Sequence, residues 1–262
     1  MKDASCVAFL QWALPRLGFR WPGFRKVRRQ VCRRIRRRYA ALGLADLAAY
    51  RRYLETDPDE LAHLDACFRV TLSRFYRDRR IFERLGDEIL PGLARNRDRL
   101  RVWSAGCASG EEPYSVALVW RQRVRMPEVE LEILATDADA HMLERAARAV
   151  YSEGTLRELP QSWRETAFRE RADELELLPA WRELVEFRQQ DLRTEMPAGP
   201  FDLVLCRNLA FMYFDQDRQL DVLRRLATRI RSGGWLVIGN HESLPSPATE
   251  FAPDGPCSYR RV

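Results

Sequence analysis

The sequence predicts an α/β fold preceded by a small all-helical N-terminal domain. Two observations support this prediction. Up to about residue 75, apolar residues recur every four positions, as they do on one face of a helix. From Leu100 onward, short apolar segments alternate with helical ones, which is typical of a parallel sheet. We therefore expect a helical domain at residues 1–75 and an α/β domain at residues 76–262.

Composition is that of a folded protein. The chain has 262 residues, of which 46% are hydrophobic, enough for one large domain or two smaller ones. No apolar run approaches the roughly 20 residues that span a bilayer, and residues 1–23 do not resemble a signal peptide. The six cysteines are scattered without a C-x-x-C pair, which predicts reduced thiols and argues against a zinc site. We expect a cytoplasmic, monomeric protein with no metal and no membrane insertion.

The net positive charge of the chain lies in its N-terminal part, since residues 1–80 hold 19 Lys/Arg and 8 Asp/Glu whereas the remainder holds 25 and 30. Helices are predicted at residues 9–17, 24–42, 45–55 and 59–68, and the second has an apolar stripe of Val27, Val31, Ile35 and Tyr39. Its basic residues are Arg25, Lys26, Arg28, Arg29, Arg33, Arg34, Arg36, Arg37 and Arg38. They form either a solvated surface or a docking surface for an acidic partner. Charge alone would admit nucleic acid, but the sequence has no nucleic-acid-binding motif, so we expect none.

The α/β domain contains five clear strand candidates. They occupy residues 100–103, 131–136, 185–188, 201–205 and 235–238. Helices are predicted at residues 81–93, 116–120, 141–150 and 218–230, the last closed by a Ser-Gly-Gly turn at 232–234. Ligands of open α/β sheets bind at the carboxyl ends of the strands, so a site is expected there.

A glycine-containing loop at residues 103–115 joins the first of these strands to a helix. Gly106 and Gly110 allow a tight turn and a close approach to a ligand. Glu111 and Glu112 follow in the first helical turn and would repel a diphosphate, whereas they suit an ammonium-bearing ligand such as S-adenosylmethionine. One of the two is expected to bind that ammonium group. An ordinary strand-to-helix turn is the alternative interpretation.

Three segments resemble, in the same order, the motifs of the chemotaxis receptor methyltransferases, the CheR family. In chain order they are the linker at residues 71–78, the glycine-containing loop at residues 103–115 and the late motif at residues 206–215. The resemblance implies a class I (Rossmann-like) methyltransferase sheet with residues 258–262 as its antiparallel last strand. It also implies S-adenosylmethionine as cofactor and O-methylation of glutamate side chains on an acidic helical, chemoreceptor-like protein that docks on the basic helix around Arg25 to Arg38.

Two alternatives stay open. A CheR-like methyltransferase could act on another protein or on a small molecule. A non-catalytic protein could bind S-adenosylmethionine or S-adenosylhomocysteine and use the basic helix to bind a partner. Transfer to a carboxylate needs alignment rather than acid–base groups, so the absence of a triad or a metal cluster agrees with catalysis.

Several further cofactor contacts are predicted at strand ends. Asp137 lies near the spacing at which an acid meets ribose hydroxyls, and Asp139 is available to cap the following helix instead. Asp191 is expected to accept from the adenine amino group, with Leu192 on the ring, although the resembled family often has Asn at this position. Asn208 and Leu209 match the family's cofactor-contacting pair.

The linker and the late motif supply the remaining candidates. Arg77 matches a cofactor-contacting arginine of the family, and Ser73 and Thr71 stand where Thr and Asn are usual. Tyr213 is carried over as a residue near the substrate. Arg77 and Tyr213 are therefore the predicted catalytic residues. The turn at residues 239–243, which includes His241, resembles an equivalent turn of the family and is interpreted as structural.

A small β insert is predicted at residues 168–188. Some members of the family carry a three-stranded subdomain there, whose glycine-containing loop grips a receptor-tail peptide. In this chain, alternation at residues 175–179 and 185–187 predicts a hairpin, but the stretch has no glycine and is acidic. We therefore expect no binding of an acidic tail peptide.

Overall fold

The chain forms two compact units. The computed structural model describes residues 3–95 and 97–262. The first unit comprises Met1–Val70 with Met212–Arg218, and the second comprises Thr71–Phe211 with Gln219–Val262. The sequence placed the boundary between residues 75 and 76 and did not indicate that a later segment joins the helical unit.

The first unit is helical. Its complete helices are α1 (Asp3–Arg16), α2 (Trp21–Phe24), α3 (Arg28–Ala41), α4 (Leu47–Thr56) and α5 (Glu60–Phe68). The basic stretch predicted as one helix at residues 24–42 is therefore divided. Phe24 is fully buried, with its ring 5.7 Å from Phe68 and 4.9 Å from Tyr213. Packing of Phe24 holds α2 in place, and the long basic helix begins only at Arg28.

A disulfide joins Cys6 on α1 to Cys32 on α3. The expectation of reduced thiols is wrong for this pair. Cys6 and Cys32 lie 26 residues apart in sequence, and only the side-by-side packing of the two helices brings their Cα atoms to 6.2 Å. The remaining cysteines are free thiols, at Cys67, Cys107, Cys206 and Cys257.

The second unit is built on a seven-stranded sheet in the order β6-β2-β1-β7-β8-β10-β9. Its strands are β1 (Arg99–Ala105), β2 (Glu130–Asp137), β6 (Val185–Gln189), β7 (Phe201–Leu205), β8 (Ile230–Val237), β9 (Phe251–Pro253) and β10 (Ser258–Arg261). The first five strands in that spatial order are parallel, and β10 pairs antiparallel with β8, as the sequence predicted. The α/β prediction is confirmed.

Helices cover the sheet and connect its strands. They are α6 (Arg79–Arg84), α7 (Leu90–Ala94), α8 (Glu111–Val119), α9 (Ala140–Arg148), α10 (Glu153–Leu156), α11 (Gln161–Ala167), α12 (Pro179–Arg182), α13 (Ala210–Tyr213) and α14 (Gln216–Arg229), with π-helical turns at Leu85–Ile89 and Trp120–Val124. The boundary between the two units falls within α13 and α14. Among the described helices, none combines the length and apolar character that crossing a membrane requires.

Two local predictions differ from the structure. Residues 232–234 do not form a turn after α14, because β8 already begins at Ile230 and contains them. Gly233, with φ +72°, accommodates the irregular start of this strand, near which the pairing between β7 and β8 shifts register. A glycine pair within a strand therefore marked an irregularity rather than an end.

The small β insert exists, but with a different pairing. β4 (Phe168–Arg171) and β5 (Glu174–Leu177) form its hairpin, and β3 (Val150–Tyr151) adds a third antiparallel strand. Residues 185–187, which the alternation assigned to the hairpin, belong to β6 of the main sheet, in line with the separate prediction of a strand at 185–188. Ala172 occupies the turn with φ +53°, a conformation that usually favours glycine.

Candidate functional site

The glycine-containing loop follows β1 at the carboxyl edge of the sheet. Gly110 precedes α8 with φ +90°, and a Cβ atom there would lie 2.9 Å from Ala146 Cβ. Gly106 has φ +81°, and a Cβ atom there would lie 2.4 Å from Leu209 Cδ2. Both positions therefore require glycine. The lack of a side chain at Gly106 also lets Leu209, a predicted cofactor residue, pack against the loop.

Asp137 ends β2 beside this loop and contacts it. Its Oδ2 accepts a hydrogen bond of 2.8 Å from the Ala108 amide, and its Oδ1 accepts one of 2.9 Å from the Asp139 amide. Asp139 caps α9 by accepting from the His141 and Met142 amides. Asp139 therefore caps α9, as expected, and the contact of Asp137 with ribose stays a prediction.

The structure separates Glu111 from Glu112. Glu111 is 2% exposed, and the Ser109 hydroxyl lies 3.0 Å from both of its carboxylate oxygens. Burial raises the pKa of Glu111, while hydrogen bonds from Ser109 and Ser73 oppose that rise. Glu112 keeps 13% of its side chain exposed. Its Oε1 accepts from Ser104 Oγ at 2.7 Å. Glu112 is therefore the more accessible of the two carboxylates.

Asn208 and Leu209 follow β7 in a turn that Glu242 holds. Asn208 has φ +55°, and its backbone N–H donates to Glu242 Oε2 at 2.6 Å. The same carboxylate accepts from the Leu209 amide at 3.2 Å and the Gly239 amide at 2.6 Å. Burial raises the pKa of Glu242, and these three amide donors partly oppose the rise. The sequence interpretation assigned no role to Glu242, although it lies in the 239–243 turn that resembles the family's.

Arg77 reaches the same turn from the linker. Its Nη2 donates to Asn208 Oδ1 at 3.2 Å, and its Nη1 donates to the Leu72 carbonyl at 3.0 Å. The residues on either side of Arg77 have left-handed backbones, with φ +56° at Tyr76 and φ +64° at Asp78. The fold therefore brings Arg77 and Asn208 together although they lie 131 residues apart in sequence.

Arg207 connects these segments, and the sequence analysis missed it. This arginine is 5% exposed and donates to the Arg77 carbonyl at 2.7 Å. It also donates to Asp78 Oδ2 at 2.8 Å and to Glu112 Oε2 at 3.0 Å. One guanidinium thus lies between two carboxylates, which leaves one net negative charge at this point. The only available signal was its place beside Asn208 at the end of a buried strand.

Asp191 lies beyond β6 and is paired with an arginine. Arg193 Nη2 lies 2.6 Å from Asp191 Oδ2, and the Arg193 amide donates to Oδ1 at 2.9 Å. The neighbouring Leu192 is buried, and Arg225 donates to its carbonyl at 3.3 Å. The sequence analysis did not anticipate the role of Arg193 as the counter-ion of Asp191.

Two further candidates fall in different units. Thr71 begins the second unit, whereas Tyr213 belongs to the first, where its carbonyl accepts from the Arg20 amide at 2.8 Å. The place of Tyr213 near a substrate stays a prediction. Within residues 3–95 and 97–262, no three His, Cys, Asp or Glu side chains are grouped as they would be to bind a metal ion.

A mostly parallel sheet with β10 antiparallel and acidic groups at its carboxyl edge is the architecture expected of a class I methyltransferase. A family model described as "CheR methyltransferase, SAM binding domain" matches residues 71–255, and one described as "CheR methyltransferase, all-alpha domain" matches residues 26–64. The chain belongs to the CheR methyltransferase family, and its cofactor is S-adenosylmethionine.

Named relatives agree with this assignment. A "Chemotaxis protein methyltransferase" of Listeria monocytogenes is 34% identical over 82% of this chain and 79% of its own length. "Chemotaxis protein methyltransferase 2" of Vibrio cholerae is 32% identical over 74% of this chain and 69% of its own length. A "Chemotaxis protein methyltransferase" of Salmonella typhimurium is 32% identical over 88% of this chain and 82% of its own length.

Proposed function

We propose that this protein transfers methyl groups from S-adenosylmethionine to glutamate side chains of a chemoreceptor-like protein in the cytoplasm. The names of its relatives support an acceptor in chemotaxis. The arrangement of charge supports the binding mode. Arg207 leaves one net negative charge between Asp78 and Glu112, and Arg77 supplies a positive charge nearby. Such a pair suits the ammonium and carboxylate groups of a bound amino acid.

The residues fit the cofactor in the following way. Glu112, rather than the buried Glu111, accepts from the ammonium group, and Arg77 donates to the carboxylate. Asp137 accepts from the ribose hydroxyls, and Asp191 accepts from the adenine amino group while Leu192 packs on the ring. The remaining residues proposed to line the site are Thr71, Ser73, Gly106, Gly110, Glu111, Asn208 and Leu209.

Bound S-adenosylmethionine supplies an electrophilic methyl group on a sulfonium centre. A glutamate carboxylate is already nucleophilic at neutral pH, so the protein needs no general base. In such a transfer an oxygen–carbon bond would form as the sulfur–carbon bond breaks, and the bonding electrons would stay on sulfur. What the side chains contribute is binding, alignment of the reacting atoms and exclusion of water. Tyr213 is proposed to lie near the acceptor.

The basic helix α3 is proposed to dock an acidic helical segment of the acceptor. Some of its arginines are used within the first unit. Arg38 Nη2 lies 2.6 Å from the buried Glu60, Arg28 pairs with Asp3, and Arg34 donates to the Arg69 carbonyl. Other basic residues of the segment are exposed; they are Arg25, Lys26, Arg29, Arg33, Arg36 and Arg37. This exposed set forms a cationic surface, which favours an anionic partner.

The test is methyl transfer from radiolabelled S-adenosylmethionine to a purified chemoreceptor cytoplasmic fragment. We expect label that mild base releases as methanol, because a glutamyl ester hydrolyses whereas methylated nitrogen does not. A receptor fragment with its acceptor glutamates replaced by alanine is the control. Cofactor binding without base-labile label on the receptor would contradict the proposed acceptor and favour a different substrate or a non-catalytic role.

A further inference from the structure

Arg207 is a buried cation of the site; it donates three hydrogen bonds, and its guanidinium lies 5.1 Å from the centre of the Phe82 ring. Its Nη1 bonds Glu112 on α8, while its Nη2 bonds both the side chain of Asp78 and the carbonyl of Arg77 in the linker. The separations in sequence are 95 residues to Glu112, 129 to Asp78 and 130 to Arg77. One side chain therefore ties the late motif to both other segments of the site.

The linker has a conformation that needs such a support. Tyr76 and Asp78 have left-handed backbones, which are unfavourable for residues with a side chain and persist when surrounding contacts hold them. The Ser115 hydroxyl accepts from the Tyr76 amide at 2.8 Å on one side of Arg77. On the other side, Arg207 holds the Arg77 carbonyl and the Asp78 carboxylate. Arg77 is thus fixed from both directions.

We propose that Arg207 is a positioning residue for the cofactor, which acts by holding Arg77 and Glu112 where they bind the two ends of its amino-acid moiety. This inference rests on the proposed cofactor site. A lysine cannot replace Arg207, because one ammonium group lacks the planar fork that reaches two carboxylates and a carbonyl together.

If Arg207 acted through its charge alone, its removal would strengthen cofactor binding. Removing Arg207 leaves Asp78 and Glu112 without their shared cation, and the added negative charge would attract the cofactor's ammonium group more strongly. A positioning role of Arg207 predicts weaker cofactor binding in its absence, because Arg77 and Glu112 lose their fixed geometry. The sign of the change in affinity therefore distinguishes the two roles.

The experiment measures S-adenosylmethionine binding by calorimetry in Arg207→Met, Arg77→Ala and the double variant. We expect Arg207→Met to weaken binding by about tenfold or more in the parent, but by less than about threefold in the Arg77→Ala background, since coupled residues are not additive. Arg231→Met is the matched control, because Arg231 pairs with the buried Asp202 near the start of β7, at the amino edge of the sheet. This control should leave the affinity unchanged.

Unchanged or tighter binding in Arg207→Met would overturn the inference, as would an equal loss in both backgrounds. Arg207→Lys retains the buried charge and is used in the same cycle if Arg207→Met does not fold. For Arg207→Lys, weaker binding that is coupled to Arg77 supports the inference, and parent-like binding overturns it. These measurements need no methyl acceptor, so a failure of the proposed receptor substrate would leave their outcome intact.

Discussion

The guanidinium of Arg193 lies on the carboxylate of Asp191, with 2.6 Å between Nη2 and Oδ2. The resemblance places Asn where this chain has Asp191. Pairing with Arg193 cancels the charge of the carboxylate and leaves oxygens that still accept hydrogen bonds. We propose that the two residues together offer the adenine edge a neutral acceptor, as an asparagine would.

This pairing predicts an unequal effect of substitutions at Asp191. Asp191→Asn should change S-adenosylmethionine affinity by less than about 1 kcal/mol, because the amide oxygen still accepts from adenine. Asp191→Ala should weaken binding by about 1–3 kcal/mol, because the acceptor is lost and Arg193 loses this ion pair. Calorimetry on both variants, with the exposed Asp173→Asn as control, makes the comparison. Equal losses in the two variants would contradict it.

Asp137 and Asp139 provide a matched pair of neighbouring acids. Asp137→Ala should weaken cofactor binding by about 1–3 kcal/mol through lost bonds to ribose. Asp139→Ala removes the cap of α9 and should lower the free energy of unfolding by about 1 kcal/mol while leaving cofactor affinity unchanged. Calorimetry and denaturant unfolding separate the two effects. Parent-like affinity in a folded Asp137→Ala protein would remove Asp137 from the site.

Charge reversal on the basic helix should affect the acceptor and not the cofactor. The triple change of Arg33, Arg36 and Arg37 to Glu targets exposed residues and spares Arg34, which bonds the Arg69 carbonyl. The acceptor's KM should rise, most strongly at low salt, because exposed charges are screened beyond about 8 Å at physiological ionic strength.

A second triple variant controls for net charge in that comparison. Arg95, Arg148 and Arg157 are exposed residues of the second unit, and their reversal to Glu changes the charge equally. Its KM should stay near the parent value. If both variants raise KM alike, the effect belongs to overall charge and α3 is only a solvated surface.

Because a disulfide joins Cys6 to Cys32, we expect reducing conditions to destabilise the first unit. Closing a loop between Cys6 and Cys32 stabilises the fold by about 3 kcal/mol in the chain-entropy description. Scanning calorimetry should therefore show a lower Tm after reduction by dithiothreitol, and Cys6→Ser should match the reduced protein and no longer respond to the reductant. A parent protein whose Tm ignores the reductant would show that the bond contributes no stability.

The β insert should not bind an acidic tail peptide. Its turn contains Ala172 rather than glycine, and Glu170 and Glu174 are exposed on either side. The charge of Glu176 is offset, because its carboxylate pairs with Arg169 at 2.9 Å. The hairpin is therefore less acidic than its sequence suggests. Titration with an acidic, aromatic receptor-tail peptide should show no binding in the low-micromolar range. A clear isotherm there would refute the prediction.

The sequence by itself determined the fold class and predicted the location of the site. Strand and helix periodicities are local, so the parallel strands from Leu100 to Val237 could be read without knowing their partners. The carboxyl ends of those strands then predict Asp137 and Asn208 as neighbours of a ligand. Glycines 106 and 110 marked the loop, since only tight turns and close approaches demand them.

Only the tertiary structure decided which neighbouring groups differ in environment. Glu111 and Glu112 are adjacent and chemically identical, yet one is buried beside Ser109 and the other is bound to Arg207. The bond between Cys6 and Cys32 likewise depends on how two helices pack. Burial and pairing of this kind arise from contacts between segments far apart in the chain, and a local pattern contains no record of them.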